Sequence, residues 1–90
     1  MSERLVKVGS RVGLHARPAS LFVQAAAAQP AVVTIGRPDG DAVDARSILG
    51  VLGLGAAHGD EVVLRAEGEG ADVAVAALAE LVASDLDAVQ

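Results

Sequence analysis

Cysteine, tryptophan and tyrosine are absent from this 90-residue chain, and Phe22 is its only aromatic residue. Without cysteine there is no disulfide frame, no thiolate metal site and no cysteine nucleophile. Without an aromatic platform there is nothing on which bases or sugars would stack. Basic residues are also scarce: seven Lys and Arg stand against twelve Asp and Glu, a formal net charge of −5. Nucleic acid is therefore not expected as a partner, since its binders carry a basic face. The longest apolar-plus-glycine run, residues 48–57, falls short of the ~20 residues that span a bilayer, so no membrane insertion is expected. Charged Lys7 follows Met-Ser-Glu-Arg before any apolar segment, so no secretory leader is expected and the cytoplasm is the expected location.

What is present is small and apolar. Ala, Val, Leu and Gly supply nearly all of the 52% hydrophobic content, which suits close packing of helices on a sheet within a single domain, residues 1–90. Period-two alternation marks strands at Leu5 to Val8, Ala31 to Ile35 and Glu61 to Glu67, the last with Val62, Leu64 and Ala66 on one face. The turn Arg37-Pro38-Asp39-Gly40 lets Ala42 to Asp44 pair back as a short strand. Helical spacing appears from Pro18 to Gln29, with Ala19, Phe22, Val23 and Ala26 on one stripe, and from Asp72 to about Asp85, with Ala74, Ala77, Leu78, Leu81 and Val82. A short helix, Ile48 to Leu52, opens at Ser47 and is closed by Gly53 and Gly55. The order β-α-β-β-α-β-α implies an α+β fold, one sheet covered by helices on one face, in a split β-α-β arrangement. Lys7, Thr34, Glu61, Arg65 and Glu67 would face solvent on the other.

The chemistry is concentrated in Gly13-Leu14-His15-Ala16-Arg17-Pro18-Ala19. Pro18 favours a helix start, because its φ is preset and its missing N–H would go unpaired there anyway. The backbone N–H groups of Ala16 and Arg17 would then sit at the positive end of the helix dipole, a place that receives anions and phosphate in particular. A nucleophilic imidazole and a guanidinium fork at that spot point to a histidine that takes and gives up a phosphoryl group. Arginine suits the task because its planar fork can bind two phosphoryl oxygens at once.

This heptapeptide resembles the active-site motif of the HPr family, the histidine-containing phosphocarriers of the phosphoenolpyruvate-dependent sugar phosphotransferase system. About thirty residues on, Arg46-Ser47-Ile48-Leu49-Gly50-Val51-Leu52-Gly53-Leu54-Gly55 is similar to that family's regulatory-serine segment. Element order and length agree as well. The resemblance implies an open-faced β-sandwich, a four-stranded antiparallel sheet with three helices on one face. It implies that His15 takes a phosphoryl group on Nδ1 from phosphorylated enzyme I and passes it to the enzyme IIA domain of a sugar permease. Arg17 would neutralise the phosphoryl oxygens while the Ala16 and Arg17 N–H groups cradle them. Ser47 would be the site of a regulatory ATP-dependent kinase, and Ile48, Leu49 and Leu52, with Ser20, would form the exposed surface that partners cover. Neither a cofactor nor a metal is implied, and the chain would turn nothing over itself. A monomer is expected because the exposed apolar patch is small.

Plainer readings apply to some of these residues. Serine before a short helix is the ordinary N-cap, so Ser47 reads as cap, as phosphosite, or as both. His58 has no catalytic setting, and the acidic residues from Glu61 to Asp87 read as solvated faces. Val12 stands where the family often has a small polar residue that caps the helix, leaving Ser20 or backbone carbonyls as substitutes. Two alternatives to the sugar-transport carrier stay open: a carrier for a nitrogen-related phosphotransferase branch, and a regulatory binding module controlled through Ser47. A hydrolase using His15 as general base lacks a visible second catalytic group.

Overall fold

Alternation and helical stripes resolve into seven elements in the computed structural model, which describes residues 2–84. They are β1 (Ser2–Lys7), α1 (Ala16–Ala27), β2 (Val33–Gly36), β3 (Ala42–Asp44), α2 (Ile48–Gly53), β4 (Glu61–Ala66) and α3 (Ala71–Ala83). The four strands form one sheet in the order β1-β4-β2-β3, and every pairing is antiparallel. The α1 crossover leaves β1 and β2 running in the same direction, and β4 lies between them, antiparallel to both. This is the split arrangement that the element order predicts.

β4 is the spine of the core. Val62, Leu64 and Ala66 point inward and are buried, while Glu61 and Arg65 point outward. Leu64 lies opposite Ile35 on β2 and Val62 opposite Val6 on β1. α3 lies across β1, β4 and β2, α1 packs on α2 and α3, and α2 packs on β3. Phe22, Ala19 and Ala26 of α1, Val51 of α2, and Ala74, Val75, Leu78 and Val82 of α3 join β4 in the core. Alanine at several of these positions lets helix and sheet approach closely. On the solvated face Arg65 Nε donates to Glu3 Oε2 at 2.6 Å across the strand pair.

Several boundaries differ from those expected. The first strand runs from Ser2 to Lys7, and Val8 lies just beyond its end, buried. Val8 keeps irregular pairing there, its N–H donating to the Asp60 carbonyl and its carbonyl accepting from Gly59 N–H. β2 begins at Val33, not Ala31. α1 begins at Ala16 because His15 takes the N-cap, which puts Pro18 third in the helix. A proline is tolerated there, since the first four N–H groups have no intrahelical acceptor. At its other end Ala28 and Gln29 donate to Ala25 and Ala26, a tightened last turn ahead of Pro30. In α3 the buried stripe is Ala71, Ala74, Val75, Leu78, Ala79 and Val82. Ala77, expected on it, is exposed, and Leu81 is half-buried at its margin. The expected end of this helix near Asp85 lies outside the described residues.

Gly9 seals the junction between β1 and α3. Its N–H donates to the Val82 carbonyl, and a Cβ there would stand 1.9 Å from the Ala83 carbonyl oxygen. Among the described residues no helix is long and apolar enough to cross a membrane. Leu64 is fully buried at the centre of this packing. Leu64→Ala is expected to lower unfolding stability by about 2–5 kcal/mol, measured by urea denaturation.

Candidate functional site

The segment leading into α1 is held from behind before it reaches solvent. Gly13 N–H closes a turn on the Ser10 carbonyl at 3.0 Å, and Leu14 N–H donates to the Ala56 carbonyl at 2.9 Å. Gly13 has φ +77° and lies against the same strand of backbone, so that a Cβ would meet Ala56 O at 2.4 Å and Ala57 Cα at 2.9 Å. Both the conformation and the space require glycine. Leu14 is buried, and the next residue turns outward.

His15 is extended, with φ −147° and ψ 155°, and forms the N-cap of α1 without a side-chain cap bond, its imidazole exposed. Ala16 follows at φ +50°, the only non-glycine residue with positive φ among those described. Such a conformation costs on the order of 1–3 kcal/mol and persists only where its surroundings impose it. Here the anchored Gly13 and Leu14 lie on one side and buried Pro18 and Ala19 on the other. The first turn of α1 contains no acidic residue. Arg17 is exposed and forms no ion pair among the described residues. Histidine, arginine and the positive end of α1 thus meet at one exposed point, a place suited to a transferable anion. Among the described residues no cluster of His, Asp and Glu could hold a metal ion.

Ser47 stands at the start of α2. Its Oγ accepts the Gly50 N–H at 3.1 Å, the ordinary cap, and the side chain is exposed. Beside it lies a contact that the sequence reading missed. Arg46 grips the Asp44 carboxylate through Nε at 3.0 Å and Nη2 at 2.7 Å, and its own N–H donates to the same group at 2.9 Å. These hydrogen bonds hold the Asp44 carboxyl at about 2. The Asp-x-Arg spacing was the available signal.

Leu49 is 80% exposed and Ile48 40% exposed, the exposure expected of them from the sequence. Leu52 departs from that expectation: it is half-buried against the core beside fully buried Val51, because a two-turn helix turns both onto the sheet side. Ser20 is exposed on α1, which packs against α2. Its Oγ accepts from Gln24 Nε2 at 3.1 Å, one turn along the helix, so it is no substitute for the missing cap at Val12. Val12 itself is 52% exposed. His58 is exposed in the turn before β4.

Known proteins share this architecture and much of this sequence. The family model for the PTS HPr component phosphorylation site matches residues 2–84. Phosphocarrier protein HPr of Streptomyces coelicolor is 55% identical over 87 residues, covering 97% of this chain and 94% of that protein. Phosphocarrier protein HPr of Haloferax volcanii is 47% identical over 83 residues, covering 91% and 93%. The crystal structure of a phosphocarrier protein HPr from Bacillus anthracis matches with a TM-score of 0.85 at 40% identity, covering 90% of this chain and 95% of that one.

The Asp44–Arg46 pair has a defined pH signature. A carboxyl depressed from 3.8 to about 2 adds stability that is present above pH 3.8 and is lost as pH falls through about 2. The pair is solvent-exposed, so Asp44→Asn is expected to lower stability by less than about 1 kcal/mol near neutral pH. Thermal unfolding followed against pH should show the two proteins converging as pH drops toward 2.

Proposed function

The chain belongs to the HPr family, the phosphocarriers of the phosphoenolpyruvate-dependent sugar phosphotransferase system, and on that premise we propose that His15 accepts the phosphoryl group and Arg17 stabilises it. The observation that carries this reading is the exposed His15 at the N-cap of α1, immediately ahead of left-handed Ala16. Nδ1 of the imidazole attacks phosphorus on phosphorylated enzyme I, and the N–P bond forms as the bond to the donor breaks. The Ala16 and Arg17 N–H groups and the Arg17 guanidinium receive the dianion. Transfer to an enzyme IIA domain reverses these steps, and the chain performs no turnover of its own.

A carrier must release what it binds, and an exposed imidazole with one freely moving arginine meets that need better than a closed cage. Donor and acceptor supply the rest of the transition-state charge. Ile48, Leu49, the margin of Leu52, and Ser20 on the adjoining helix form the docking surface. Ser47, exposed beside it, is the regulatory site for an HPr kinase/phosphorylase: a dianion there would place charge at the surface that partners must cover. The protein acts as a cytoplasmic monomer.

Intact-mass spectrometry after incubation with phosphoenolpyruvate and purified enzyme I tests the assignment. One added phosphoryl group, lost in acid and stable in base, is expected on the wild type and absent from His15→Ala. No modification with a cognate enzyme I would remove the carrier role from this chain. Arg17→Lys retains the charge but not the fork, and rapid-quench kinetics should show transfer slowed by about tenfold.

A further inference from the structure

His15 is delivered by a segment that rests on the turn preceding β4, and that turn is itself built around a single carboxylate. Asp60 Oδ2 accepts the Ala57 N–H at 2.9 Å, and Arg37 Nη1 donates to the same oxygen at 2.9 Å. The Asp60 N–H in turn donates to the Ala57 carbonyl at 3.0 Å. Together the backbone donor, first in effect, and the guanidinium hold the Asp60 carboxyl below its usual range. The turn is thereby closed on itself and tied to the β2–β3 turn, 23 residues away in sequence.

The closed turn is what the phosphorylation segment touches. Asp60 and Gly59 bracket Val8 through hydrogen bonds of 2.9 Å each. Ala56, next to Ala57, is buried and accepts the Leu14 N–H, and Gly13 has no room for a Cβ against residues 56 and 57. Residues 56–60 therefore form a shelf that fixes the segment at Val8, Gly13 and Leu14, directly ahead of His15 and the left-handed Ala16.

We infer that Asp60, braced by Arg37, is a positioning residue for phosphoryl transfer at His15, acting through the shelf and not by contact with the phosphoryl group. This rests on His15 being the acceptor. If the Ala57 bond is lost the shelf loosens, and the orientation of the imidazole relative to the first-turn N–H groups spreads. Binding of the donor protein is left alone, because the apolar docking surface lies on α2.

The test is steady-state phosphorylation by enzyme I with the carrier as varied substrate. Asp60→Ala is expected to lower the maximal rate about tenfold with KM little changed, the scale that displacement of a reacting group produces. Asp60→Asn keeps an acceptor for the Ala57 N–H and is expected to recover most of that rate. Arg37→Gln, which removes only the brace, is expected to be slowed about threefold and supplies the same reading if Asp60→Ala does not fold. Val33→Ala, in the core and paired with Ala66 at the end of β4 opposite Glu61, loses stability without touching the shelf and should transfer at the wild-type rate. Wild-type rates in both Asp60→Ala and Arg37→Gln, or equal slowing of Val33→Ala, would overturn the positioning role. A wild type that takes no phosphoryl group at all would instead overturn the His15 reading on which it stands.

Discussion

The hydrogen bond from Leu14 N–H to the Ala56 carbonyl, with Gly13 pressed against the same backbone, is the constraint on which the site depends. It stops the chain just ahead of His15 and forces the turn into α1 to be completed within one residue. Ala16 takes up that turn in a left-handed conformation, which alanine adopts only under compulsion. The result is a helix that opens at an exposed histidine N-cap whose side chain makes no cap bond. The strain at Ala16 thus originates in the anchoring of Gly13 and Leu14.

The rest of the fold supplies what that anchor needs. β4 places the 56–60 turn, since Val62, Leu64 and Ala66 lock the strand into the core. α3 closes over β1 and β4, and Gly9 joins its end to the segment that becomes the site. Small side chains make this possible in a short chain, because alanine and glycine allow approach distances that larger residues would block. The candidate site residues stay outside this packing. His15, Arg17, Ser47 and Leu49 are all exposed, which suits a protein whose work is done at contacts with others.

Much of this was legible in the sequence because it is local. Alternation identified β4 to within one residue at its end, Ser47 declared itself as a cap, and His15 with Arg17 and Pro18 marked the candidate site. Where local signals met a tertiary constraint they failed. Pro18 suggested a helix start at its own position, but the anchored loop moves the start to Ala16. Ala77 fits a helical stripe as well as Ala79 does, and only the sheet beneath α3 decides between them. Leu52 looked exposed because a short helix cannot bury everything, yet it leans on the core. The left-handed Ala16 and the Arg37–Asp60 pair left no trace in the sequence, the first because no residue type encodes it and the second because its partners lie 23 residues apart.

Whether the start of α1 receives the phosphoryl group on His15 can be read from paired ¹H–¹⁵N and ³¹P NMR spectra of the free and phosphorylated protein. A phosphorus resonance coupled to the His15 Nδ1 is expected, with the Ala16 and Arg17 amide protons moving downfield more than any others in the chain. Phosphorus attached elsewhere, or Ala16 and Arg17 amides that stay in place on phosphorylation, would contradict it.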